Sequence, residues 1–73
     1  MKTILVGWKR IKVTEVAEEN TGDDIFTLYK GSGTDNFYCK MEDAFEGETR
    51  KLSAKNEEEA LMEFKELVYG SRN

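Results

Sequence analysis

The groups in this chain best suited to chemistry lie between residues 30 and 43. The run Lys30-Gly31-Ser32-Gly33-Thr34-Asp35 joins a cation to small residues and hydroxyls, the ingredients of a phosphate cradle. A cradle of the P-loop kind needs G-x-x-x-x-G-K-[ST] with a helix beginning behind it, because the helix N–H groups and dipole hold the anion. Here the lysine precedes the glycines, and the residues that follow are patterned as a strand. Gly31 and Gly33 are therefore expected to supply positive φ angles for a hairpin turn. Tyr29 and Tyr38 then fall on the two flanking strands.

The remaining reactive groups point the same way. Glu42 and Asp43 are sequence neighbours, so on a strand they face opposite sides, which is poor geometry for paired acid/base work. Cys39 shares the apolar parity of its run, which predicts a buried and inert thiol. The sequence has no histidine, so a Cys/His metal site, a Ser-His-Asp triad and a histidine proton shuttle are all excluded. The turn-like runs around Gly22 and Asp35 offer oxygen ligands but lack the D-x-[DN]-x-[DN]-G calcium pattern. No catalytic residue, cofactor or metal site is expected, and the chain does not read as an enzyme.

The elements that carry these groups follow from periodicity. Seventy-three residues form a single small domain spanning 1–73. A chain of this size buries roughly 60% of its unfolded surface, so its stability is thin. Thr3 to Val16 is rich in β-branched residues. Ile4, Val6 and Trp8 share one parity and Ile11 and Val13 the other, so a bulge, bend or turn is expected near Lys9-Arg10, in one bulged strand or two. Turn formers gather at Thr21-Gly22. The next strand places Phe26 and Leu28 on one face and Ile25 and Tyr29 on the other. In the following run Phe37, Cys39, Met41 and Phe45 share a face. A turn at Gly47 leads to a short last strand with Leu52 inward.

The carboxyl-terminal segment reads as an amphipathic helix. Asn56 is the N-cap, with Glu59 placed for a capping box. Glu57, Glu58 and Glu59 complement the helix dipole. Ala60, Leu61, Phe64, Leu67 and Val68 form one apolar stripe, and Gly70 is read as a left-handed stop. The expected fold is α+β: an antiparallel sheet of three to four strands followed by one C-terminal helix packed on one of its faces.

One helix covers one face. That leaves Ile25, Tyr29 and Tyr38 on the other, with Trp8 and Lys40 nearby, as candidates for binding a partner. Self-association is a second use of such a face, because a marginal domain gains core by pairing with its own copy.

Charge supplies another surface. Net charge is −4, and residues 21–48 carry seven acids against two lysines. Asp23, Asp24, Asp35, Glu42, Asp43, Glu46 and Glu48 would repel a nucleic-acid backbone and attract a basic groove, acting as a mimic of that backbone. In size and charge the chain is similar to the small acidic inhibitors carried by phages and mobile elements, anti-CRISPR proteins among them.

The expected function is therefore a non-enzymatic protein-binding module, an acidic inhibitor of a nucleic-acid-handling protein in its sharper form. An alternative is a single-strand binder that stacks bases on Trp8, Tyr29 and Tyr38 within a basic rim; net charge disfavours nucleic acid as a partner. A small-molecule-binding domain is the second alternative. The apolar run at the amino terminus is too short for a secretion signal or a membrane span. With a lone cysteine, this favours the cytoplasm and no membrane partner.

Overall fold

The computed structural model describes residues 2–70. Five strands, β1 (Lys2–Val6), β2 (Lys9–Asn20), β3 (Ile25–Gly31), β4 (Phe37–Glu42) and β5 (Gly47–Lys51), precede one helix, α1 (Glu57–Gly70). The strands form one antiparallel sheet in chain order, and α1 packs on one face of it. The fold is α+β as expected, with five strands where the sequence pattern implies three to four.

The additional strand comes from the amino-terminal segment, which is a hairpin. Val6 pairs with Lys9 across a two-residue turn at Gly7-Trp8. Gly7 takes φ +64°, the value a tight turn demands of its first central residue and one that costs glycine nothing. β2 is then a single long strand with a bulge between Glu15 and Ala17. The extra residue bends the strand and increases its twist.

Register explains how the sheet curls. The first part of β2, Lys9 to Val13, pairs with β1, and the part from Val13 onward pairs with β3. The two free edges of the sheet, β1 and β5, approach within 8 Å at Cα. The amino-terminal hairpin thus covers the face that the helix leaves open.

Two cores result, one on each face. Phe26, Leu28, Phe37 and Cys39 meet Leu52, Ala54, Ala60, Phe64 and Val68 beneath the helix. On the other face Ile4 and Val13 enclose Tyr29 and Tyr38, with Val6 and Ile11 packed against them.

Both termini of the sequence argument for α1 meet a correction. The Glu59 N–H donates to Asn56 Oδ1 at 2.8 Å, so Asn56 caps the helix as expected. The Glu59 carboxylate accepts instead from the Lys55 N–H, one residue before the position a capping box uses. Gly70 is the last helical residue and is not among the glycines with positive φ, so it provides no left-handed stop.

The Gly-Ser-Gly segment is a hairpin loop between β3 and β4, closed by the Gly31 N–H donating to the Asn36 carbonyl at 2.9 Å. Only one of its glycines serves the role expected of both. Gly33 takes φ +72°, whereas Gly31 is not in that region. Gly31 serves close approach instead: a Cβ there would lie 2.6 Å from Thr34 Oγ1, so the Thr34 hydroxyl would have to move.

Candidate protein-binding surface

The acidic residues are gathered by strand register. Asn20, Ile25, Glu42 and Gly47 form one row across β2, β3, β4 and β5. The β2–β3 and β4–β5 turns therefore leave the sheet at the same end. They bring Asp23 and Asp24 beside Asp43 and Glu46, with Glu42 in the row itself. The next row runs Glu19, Phe26, Met41, Glu48 and adds a carboxylate at each side. Asp35 lies apart, in the β3–β4 loop at the opposite end of β3, and does not join this group.

Local hydrogen bonds fix both turns. In the first, the Thr21 N–H donates to the Asp24 carbonyl at 2.9 Å, and Asn20 Oδ1 accepts from the Gly22 N–H at 2.8 Å. In the second, Asp43 Oδ1 accepts from the N–H groups of Phe45 and Glu46, each at 2.8 Å. Those two bonds, the one from Glu46 foremost, hold the Asp43 carboxyl below its ordinary value of 3.8. Asp43 is thus a structural residue of its turn as well as a surface charge. Glu42 is engaged too, through an ion pair with Lys40 at 3.6 Å.

This turn also decides the fate of Phe45. Parity placed it under the helix with Met41. The turn begins at Asp43 and ends the strand alternation, so Phe45 projects from the tip with 96% of its surface exposed. Met41 is itself 38% exposed. It lines a crevice of about 230 Å³ with Phe26, Cys39, Leu67, Glu48 and Arg50. An exposed phenylalanine amid carboxylates was not foreseen. The signal for it was the Asp43 side chain, whose type favours turns over strand interiors.

The aromatic face does not exist as a free surface. Tyr29 and Tyr38 are 1% and 5% exposed, because Ile4 and Val13 of the amino-terminal hairpin close over them. Lys2 of the same hairpin seats its ammonium 5.4 Å from the centre of the Tyr29 ring. Hydrogen bonding to Tyr29 holds the Lys2 amine above its ordinary value, with Glu15 and Glu42 contributing from further off. Of the other candidates on that face, Ile25 is partly exposed at the acidic end and Lys40 is half-buried in its ion pair. Trp8 is 87% exposed at the tip of the β1–β2 hairpin, apart from both tyrosines' enclosure.

Cys39 is buried, as its parity implied, and burial pushes its thiol up to about 11. Among the described residues no three His, Cys, Asp or Glu side chains are grouped to hold a metal ion. No helix among them is long and apolar enough to cross a membrane. The chain matches no protein-family model, no curated protein and no solved structure.

Proposed function

We propose that the protein is a small non-enzymatic binding module. Its acidic sheet end docks in the basic groove of a protein that handles nucleic acid and competes there with the phosphate backbone. The observation that supports this is the four-strand row that brings Asp23, Asp24, Asp43 and Glu46 to one end around exposed Phe45. Carboxylates spread over a rigid sheet end offer charge-assisted hydrogen bonds to Arg and Lys. A ring projecting from the β4–β5 turn, between Asp43 and Glu46 in sequence, is the kind of residue that anchors an interface once it is desolvated. Charge of this kind speeds encounter and selects against acidic partners.

The test is competitive capture. The immobilised chain is exposed to lysate of its own cell, and bound proteins are eluted with heparin or duplex DNA. The expected result is a retained protein that itself binds DNA, is released by either polyanion, and is lost when Asp23, Asp24 and Glu46 are all changed to Lys. Retention unaffected by those substitutions or by polyanion would refute the reading.

The single-strand reading has lost its platform. Of the three rings it needs, Tyr29 and Tyr38 lie in the core and Trp8 alone remains on the surface.

A further inference from the structure

The amino-terminal hairpin has a surface of the opposite sign. Residues 1–14 contain Lys2, Lys9, Arg10 and Lys12 and no acid, although the whole chain is net −4. The register divides these cations between two faces. Ile4 and Ile11 face each other across the hairpin and turn inward toward Tyr29 and Tyr38. The outer face must then carry Thr3 opposite Lys12 and Leu5 opposite Arg10. Lys30, opposite Thr14, continues the same face on β3. Lys9, Arg10 and Lys12 take part in no ion pair among the described residues.

Two large apolar side chains stand among these cations. Trp8 is 87% exposed at the turn and Leu5 is 58% exposed on the outer face. The turn does not require Trp8: a two-residue turn with glycine at its first central position accepts almost any second residue. Lys9 holds its ammonium 5.8 Å from the Trp8 ring centre, so cation and indole are presented together.

We infer that this hairpin tip docks on an anionic lipid surface, with Trp8 and Leu5 entering the headgroup region and Lys9, Arg10 and Lys12 meeting lipid phosphates and carboxylates. An indole, apolar in body and polar at its N–H, suits the membrane–water boundary. Basic residues near such a surface are drawn to its negative potential, and the attraction fades within a Debye length. A few apolar side chains give shallow and reversible attachment, unlike a spanning helix. Nucleic acid shares the phosphate chemistry, but a strand-tracking site stacks successive bases on several rings. Here the hairpin tip offers one ring, the exposed Phe45 and Tyr69 belonging to other elements, and its apolar neighbour is the aliphatic Leu5, which suits acyl chains better than bases. The expectation of no membrane partner rested on the lack of a spanning segment, which does not bear on surface contact.

Trp8 is the single tryptophan of the chain, so its own fluorescence reports the contact. The intact protein is titrated with vesicles of phosphatidylcholine alone, or of phosphatidylcholine and phosphatidylserine at roughly two to one. The expected result is a blue shift of Trp8 emission and co-sedimentation with the serine-lipid vesicles only, both reversed by added salt. Changing Arg10 and Lys12 to Glu should weaken binding at least tenfold, and Trp8→Ala should do the same by sedimentation. Circular dichroism checks that each variant is folded, and Arg10→Gln serves as a milder substitute if the double reversal is not. No shift and no sedimentation with anionic vesicles, or equal binding to neutral ones, overturns the inference. Quenching of Trp8 by an oligothymidylate without vesicle binding overturns it in favour of nucleic acid. Leu5 and Gly7 share a hollow with Glu42 and Glu48 of the acidic end, but the two tests substitute different residues, so each can fail without the other.

Discussion

The two faces of this sheet are covered by different means. The helix brings Ala60, Phe64 and Val68 down onto Phe26, Leu28, Phe37 and Cys39, and between its ends its backbone hydrogen bonds lie within the element. The hairpin covers the other face with part of the sheet itself, and the enclosed set is smaller: Ile4, Val13, Tyr29 and Tyr38. A helix can arrive as a preformed amphipathic element. The hairpin reaches its face only because β2 is long, bulged and shared between two partners. The second core therefore depends on strand geometry as much as on side chains.

That contrast gives the largest expected effect. Phe64→Ala empties the centre of the helix-side core, where the ring is 2% exposed, and should cost about 3–5 kcal/mol. For a chain this small that approaches the whole stability, so the variant should be largely unfolded by circular dichroism. Ile4→Ala on the hairpin side should cost about 2 kcal/mol and leave a folded protein. In that variant the near-ultraviolet circular dichroism of the enclosed Tyr29 and Tyr38, which reports the hairpin-side core, should change at lower denaturant than the helical signal. Coincident transitions would mean that the two cores form a single cooperative unit. Replacing Tyr29 and Tyr38 together by Ala should unfold the protein, because both belong to the interior.

A smaller effect separates the cores by pH. Only the helix-side core holds an ionisable thiol. Burial raises the Cys39 thiol from its ordinary value of 9.0 to about 11. Between those values the unfolded chain has released the proton and the folded chain retains it. Unfolding thus gains from rising pH, and stability should fall across this window while being unaffected below it. Urea midpoints of the parent and Cys39→Ala, measured from pH 8 upward, test this: the parent should decline more steeply. At neutral pH the thiol should react with a disulfide reagent only after denaturant is added.

Much of this architecture was legible in the residues. The alternation in β3 and β4 assigned Phe26, Leu28, Phe37 and Cys39 to the helix and Tyr29 and Tyr38 to the other face, as observed. The hairpin that hides the tyrosines was partly legible. A two-residue turn pairs position i with i+3, so inward positions must change parity across it. Ile4 and Val6 give way to Ile11 and Val13 for that reason. Parity alone puts the switch near Lys9-Arg10 and leaves Trp8 in the strand, whereas the register puts it at Gly7-Trp8. What single-strand patterning does not contain is the curl, since it arises from the bulge and from pairing between segments. The acidic end was read as a stretch of sequence, and it became a surface through register: the row from Asn20 to Gly47 unites two turns and leaves Asp35 behind. Phe45 was misplaced because parity was carried past Asp43, where the strand had ended.

The smallest effect concerns that turn. Asp43 is fully exposed, yet its carboxylate accepts the N–H groups of Phe45 and Glu46, which lowers its proton affinity in the fold. A group with a depressed folded value contributes stability above its unfolded value near 3.8, and loses it as pH falls through the lower folded value. Asn at this position keeps an acceptor oxygen for the turn but has no proton to gain. Asp43→Asn should therefore be slightly less stable than the parent at neutral pH, with the difference shrinking in acid as the parent's carboxylate is protonated. Thermal melts at pH 7 and at successive steps below pH 4 measure it. A gap that stays constant with pH would mean that the turn is held by its backbone alone, and that Phe45 is presented by chain geometry without help from the charge beside it.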